Sequence, residues 1–150
     1  MTLLNATNFF ESLKTESSKK SEIKVYTQFI DILKKLENRA FTNADIQSIE
    51  IELDSLKLNS NPDNRKKFFK NALRKFETYL KDTFSLTSQG YYTNLSITLG
   101  MLFGVIAGIL IGERFERSLG ISVGISMGLF IGALIGRLKD AQAKEAGNML

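Results

Sequence analysis

The chain has 150 residues, 20 of them basic and 16 acidic, a formal net charge of +4, and it contains no cysteine and no histidine. That excludes disulfide scaffolds, Cys/His zinc sites, thiol nucleophiles and imidazole bases together. A mean hydropathy near zero (−0.06) conceals a division into a polar first two-thirds and an apolar last third.

Fifteen of the twenty basic residues and twelve of the sixteen acids precede Gly90, so the front part carries a modest positive excess. The length accommodates one modest domain and a small further unit. Residues 1–7 lack a basic n-region and an apolar h-region, so they do not read as a secretory signal. The first hydrophobic run is then expected to act as its own insertion signal.

In chain order, residues 5–14 place Phe9, Phe10 and Leu13 at helical spacing, with Asn5 or Thr7 as the expected cap. The polar run 16–21 reads as a loop. From Glu22 to Arg39, Tyr26, Phe29, Ile30, Leu33 and Leu36 share one stripe, the mark of an amphipathic helix. Thr42 or Asn43 can cap the next segment, 44–58, where Ile46, Ile49, Leu53 and Leu56 again fall on one face. The alternation Ile49, Ile51, Leu53 allows a strand locally, but a lone strand has no partner, so helix is expected.

Asn59-Ser60-Asn61-Pro62-Asp63 is a turn holding the chain's single proline, placed to open a helix. That helix, expected over 62–84, carries Phe69, Leu73, Phe76, Leu80 and Phe84 on its apolar side. Arg65, Lys66, Lys67, Lys70, Arg74, Lys75 and Lys81 cover the rest. Ser88-Gln89-Gly90 interrupts the pattern, and Tyr91 and Tyr92 follow, as aromatic residues do at a membrane–water interface.

Two uncharged runs then succeed one another: NLSITLGMLFGVIAGILIG from Asn94 and SLGISVGISMGLFIGALIG from Ser118. At about 1.5 Å per residue each is long enough to cross a hydrocarbon core. The expected fold class is all-α. Residues 1–88 form a soluble region of about four helices, and 91–139 form a two-helix transmembrane hairpin. Its spans are 94–112 and 118–138, its loop is 113–117, and 140–150 is a short tail that continues the helix and frays at Gly147-Asn148.

Glycine recurs at every fourth position of both runs: Gly100, Gly104, Gly108 and Gly112, then Gly120, Gly124, Gly128, Gly132 and Gly136, with Ser96 extending the first series. A helical glycine costs about 1 kcal/mol relative to alanine in water. In lipid, where the hydrophobic effect does not join helices, small residues at this spacing allow the backbones to approach closely. With a turn centred on Glu116, residue i lies level with residue 232 − i, so every small residue of one stripe meets one on the other. The stripe drifts by about 40° per step, which predicts a right-handed wrap.

Ser118, Ser122 and Ser126 repeat every four residues on nearly the opposite face. They read first as hydroxyls bonded to their own i−4 carbonyls, and second as an oligomer face. Lys66, Lys67, Lys70, Arg74, Lys75 and Lys81, with Tyr91 and Tyr92, are candidate lipid-headgroup contacts. Equally, the lysines are the solvated face of a bundle helix. Nucleic acid is not expected, since no outward aromatics interleave with the charges. Glu50, Glu52 and Asp54 are spread over several helix faces and read as a solvated surface, not a cation site. No nucleophile elbow or phosphate loop is present, so neither enzyme chemistry nor a cofactor is expected.

GMLFGVIAGILIG, GISVGISMGLFIGALIG and the ending RLKDAQAKEAG resemble the glycine-zipper membrane proteins, small bacterial proteins with repeated GxxxG hairpins. The resemblance covers about residues 90–150. It implies a hairpin packed through glycine faces in the bacterial inner membrane. Rotor-ring subunits share a glycine-rich hairpin but need a mid-membrane carboxylate, and neither run here contains one. Basic residues on both flanks (Arg74, Lys75, Lys81; Arg137, Lys139, Lys144) against Arg114 and Arg117 in the loop place both termini in the cytoplasm. The expected function is a non-enzymatic membrane protein that associates with itself or with other membrane proteins and presents a helical cytoplasmic region. The alternative is a homo-oligomeric channel or membrane-permeabilising effector.

Overall fold

The computed structural model describes residues 1–60, 62–113 and 116–150. It is all-α, with six helices: α1 (Leu3–Glu16), α2 (Lys20–Glu37), α3 (Asn43–Ser55), α4 (Arg65–Phe84), α5 (Tyr91–Gly112) and α6 (Arg117–Glu145). The chain divides into two compact units, Met1–Leu86 with Leu150, and Thr87–Met149.

In the first unit α1 packs on α2, and α4 packs on both α2 and α3. The periodic stripes become the core. Tyr26, Phe29, Leu33 and Leu36 of α2, Ile49 and Leu53 of α3, and Phe69, Phe76 and Leu80 of α4 are buried, as is Phe10 of α1. Phe69 joins three of the helices: its ring meets Phe10 edge-on at 5.7 Å and Tyr26 at 5.3 Å, while Phe10 stacks on Phe29 at 4.2 Å. Aromatic pairs in these geometries add to plain area burial. Residues 43–55 are helical, with Ile49 and Leu53 inward and Ile51 out, so tertiary burial at a 3.6-residue period decides the ambiguous alternation.

The helix starts differ from expectation at several places: α2 opens at Lys20 and not Glu22, which shortens the loop expected over 16–21 to residues 17–19, and α5 opens at Tyr91, three residues before the expected span. Thr2, and neither Asn5 nor Thr7, caps α1 by accepting from the Asn5 amide at 3.2 Å. Thr7 lies inside the helix, where its hydroxyl donates to the Leu3 carbonyl at 3.1 Å and reaches Glu37. Similarly α4 opens at Arg65, not Pro62, because Asn64 accepts from the Lys67 amide at 3.0 Å and fixes the start. Asn61 of the expected turn lies outside the described residues. Thr42 caps α3 in a reciprocal box with Asp45, each satisfying an amide of the other.

Lys34 donates to Glu11 at 2.7 Å and ties α2 to α1. That hydrogen bond and the lysine's charge hold the Glu11 carboxyl below the usual range and raise Lys34 in return. The pair therefore supports the fold at neutral pH, and that support fades as pH falls through the lowered Glu11 value or rises through the raised Lys34 value. Both side chains are solvent-exposed, which keeps the contribution small.

The Tyr26 hydroxyl is buried and makes no hydrogen bond among the described residues. Burial pushes its pKa up, with the negative charge of Glu22 adding and Arg65 opposing. An unpaired buried hydroxyl costs about 1–3 kcal/mol. Tyr26→Phe is therefore expected to raise stability by about 1 kcal/mol, seen as a higher urea midpoint; a loss of that size would mean the hydroxyl has a partner in solution.

In the second unit α5 and α6 pack against each other. Gly90 holds the residue before α5 in the left-handed region at φ 79°, and Gly147 does the same after α6 at φ 72°. The Gly147 amide donates to the Lys144 carbonyl at 3.1 Å and the Asn148 amide to Ala143 at 2.8 Å, the paired bonds of a Schellman cap. The expectation that the helix frays at Gly147-Asn148 is thus wrong, because glycine adopts the capping conformation without a Cβ penalty. Beyond the cap, the Thr87 amide donates to the Asn148 carbonyl at 2.9 Å and Thr87 bridges Met149.

Candidate functional site

The feature of the chain that calls for a function is the apolar pair α5–α6. Both helices, of 22 and 29 residues, are long and apolar enough to cross a membrane, by length and composition. Only 17% and 22% of their most apolar 18-residue windows is buried. Phe103, Leu110, Met127, Phe130 and Leu138 are each more than 60% exposed. A core helix of a water-soluble domain hides such residues, and contiguous exposed apolar surface marks a contact with lipid or protein.

What the pair buries is glycine: Gly104, Gly108 and Gly112 of α5 and Gly124, Gly132 and Gly136 of α6. A Cβ added to Gly104 would run into the carbonyl oxygen of Gly124, and one added to Gly124 would run into the carbonyl oxygen of Gly104. Gly100 and Gly128 block each other in the same reciprocal way, as do Gly108 and Gly120, where an added Cβ on either would stand 2.5 Å from the other's oxygen. A Cβ on Gly132 would meet the Ser96 carbonyl. The hydrogen that glycine carries in place of Cβ points at those oxygens, the arrangement of a Cα–H···O contact worth about 0.5–1 kcal/mol.

The register refines the sequence expectation. The Cα partners of Gly104 and Gly124 are Gly128 and Gly108, pairs that sum to 232, while the nearest carbonyls are each other's, a pair that sums to 228, one glycine step away along the partner helix. The glycines therefore interleave and do not oppose one another. Ser96 was expected level with Gly136, but the atoms nearest a Cβ on Gly136 belong to Tyr92 and Thr93. A Cβ added to Gly112 would meet the Arg117 backbone, at 3.0 Å from its Cα, and no glycine carbonyl. Arg114 and Phe115 of the expected loop lie outside the described residues.

Asp140, read from the sequence only as part of the tail, has a defined role. Its carboxylate accepts from the Tyr92 amide at 3.0 Å, the Thr93 amide at 3.2 Å and the Thr93 hydroxyl at 2.6 Å. Gly90 offers α5 no side-chain cap, so α6 supplies one. The carboxylate satisfies amides of the first turn and faces the positive end of the helix dipole. The signal was present in the sequence, since the 232 register puts Asp140 level with Tyr92. Asp140→Ala is expected to cost the hairpin about 1.5–3 kcal/mol, the range for hydrogen bonds to a charged group; Asp140→Asn should lose less. Unfolding of the helix pair in mixed micelles measures both, and an unchanged midpoint for the alanine variant would contradict the cap.

The Ser122 and Ser126 hydroxyls donate to the Ser118 and Ser122 carbonyls at 2.9 Å, and Ser118 lies 3.5 Å from Glu116. The hydroxyls of Ser122 and Ser126 are thus satisfied within their own helix. Lys66, Lys67, Lys70, Arg74 and Lys75 lie on the exposed face of α4, and Lys81 is half-buried beside Asp82 at 3.5 Å. Tyr91 and Tyr92 open α5, half-buried, their rings edge-to-face at 5.2 Å. Among the described residues no group of three or more acids gathers to hold a metal, Glu50, Glu52 and Asp54 included.

No family model, curated protein or solved structure matches the chain. The functional reading rests on the residues and their geometry.

Proposed function

We propose that the chain is a non-enzymatic integral protein of the bacterial inner membrane. In this reading α5 and α6 span the bilayer as a glycine-zipper hairpin, the loop faces outward, and α1–α4 lie in the cytoplasm. There they serve as a binding region, alongside association of the hairpin with copies of itself or with other membrane proteins. The observation that carries the reading is the exposure of α5 and α6: two helices, each with an uncharged run of 19 residues and most of its large side chains uncovered, are stable in lipid and unstable in water. The positive-inside bias supports the orientation. On the cytoplasmic side the basic face of α4 and the two tyrosines then have anionic headgroups within reach.

Because the glycines are spent inside one chain, association between chains falls to the outer faces, of which the Ser118, Ser122, Ser126 stripe is the smallest in side-chain bulk. The mass of the particle in nanodiscs tests this. A dimer or higher oligomer that shrinks on Ser122→Leu supports self-association through that stripe. A strict monomer would remove self-association and leave the cytoplasmic helices as the binding element. A ring that passes ions in liposomes would replace the proposal with the channel.

A further inference from the structure

Along one side of the helix pair runs an apolar groove of about 570 Å³. Its walls are Leu99, Phe103 and Ala107 of α5 and Val123, Met127 and Ile131 of α6, above a floor of glycine backbone. It extends along α5 from Ser96 to Ile111, roughly 22 Å at 1.5 Å per residue. Half a hydrocarbon core is about 15 Å, so the groove is long enough for one acyl chain. Lys139 lines its mouth, one turn past Ile135 and just beyond the apolar run.

We propose that this groove binds one acyl chain of an anionic phospholipid, whose phosphate is held by the Lys139 ammonium. The proposal rests on the membrane reading and its orientation, which put Lys139 in the leaflet rich in anionic lipid. The depth is right, because a lysine at the end of a span reaches the headgroup level with its stem along the apolar surface. The charge also argues against a second copy in the groove. Two chains inserted the same way and paired about an axis along the membrane normal would bring the same groove, and hence the two Lys139 side chains, together at one depth. The groove lining contains no acid to offset them.

Native mass spectrometry of the full chain, released from micelles doped with equal phosphatidylglycerol and phosphatidylcholine, tests the site. One phosphatidylglycerol should be retained about tenfold in preference. Lys139→Gln should reduce that preference to near unity, and Lys139→Arg should keep it. Ala107→Phe, which fills the groove, should abolish retention of both lipids, whereas Leu134→Phe outside it should not. Dyes at Ser88→Cys and Ala146→Cys report whether the hairpin is still closed in the Ala107→Phe variant. Equal retention of the two lipids by the unaltered chain, or a preference that Lys139→Gln leaves intact, overturns the proposal. So does efficient disulfide pairing between copies carrying Val123→Cys, which would show a second chain in the groove. A chain extracted from membranes by alkaline carbonate would instead sink the membrane reading itself, a result distinct from any of these.

Discussion

Gly104→Ala and Gly104→Leu are each expected to open the α5–α6 pair, at a cost of about 3 kcal/mol or more, the upper end of what overpacking imposes. The reason lies in what the new side chain meets. Beside the Gly124 oxygen it would stand 2.9 Å from the Gly124 carbonyl carbon and 3.3 Å from the Gly128 Cα, all backbone atoms that cannot rotate away. The helices must separate, and the reciprocal contacts along the stripe weaken with them. Most of the loss should appear already with alanine, since the collision begins at Cβ. Leu102→Ala is the comparison: Leu102 is 58% exposed and truncation removes little that the partner helix touches. Gly112→Ala should cost less than Gly104→Ala, because the new Cβ would stand 3.0 Å from the Arg117 Cα and 3.2 Å from its oxygen, a tight contact and not an overlap. Energy transfer between dyes at Ser88→Cys and Ala146→Cys, followed as SDS replaces a mild detergent, reads the separation. The chain's lack of native cysteine makes the labelling specific. Alanine at 104 behaving like alanine at 102 would mean that close backbone approach is not what joins the helices.

The second large effect belongs to the other unit. Phe69→Ala should destabilise α1–α4 by about 3–5 kcal/mol, the usual cost of emptying a buried aromatic site. Phe69 is 2% exposed and touches the rings of Phe10, Tyr26 and Phe68. Its removal leaves a void bordered by three helices, not one that a single side chain can fill. Set against a typical domain stability of about 5–15 kcal/mol, this is roughly a fifth or more of the total. Phe84→Ala, at the half-buried end of α4 beside Phe41 and Tyr79, should cost about 1–2 kcal/mol. Urea unfolding followed by tyrosine fluorescence measures both, since the chain has no tryptophan. Equal losses at the two positions would show that the ring cluster is not the centre of the core.

The residues that made the fold legible are those whose burial repeats along one helix. Tyr26, Phe29, Leu33 and Leu36 announce α2 because a stripe at a 3.6-residue period has one economical use. The glycine series announced which faces of α5 and α6 meet, because a matched spacing on two antiparallel helices fixes a depth for each residue. Capping was less legible. Thr2 and Asn64 each compete with nearby residues of similar chemistry, and hydrogen-bond geometry, which spacing does not carry, decides among them. The Asp140 cap joins residues 47 and 48 positions apart, and only the hairpin register brings them level. Gly147 was the opposite case: glycine directly after a helix is a stop signal, and the paired bonds to Lys144 and Ala143 show it acting as one. The groove beside the glycines had no sequence signature, because its walls come from two helices in alternation and each residue in it reads singly as an ordinary lipid-facing side chain.

The central claim is that α5 and α6 cross a bilayer as a hairpin, and cysteine accessibility tests it most directly. Single cysteines at Ser88→Cys, Ser118→Cys and Ala146→Cys would be challenged with an impermeant maleimide in sealed, inside-out membrane vesicles. The hairpin predicts that 88 and 146 react at once, and that 118 reacts only after the vesicles are opened with detergent. Equal reaction of all three in sealed vesicles would contradict it, placing the helix pair on one side of the membrane.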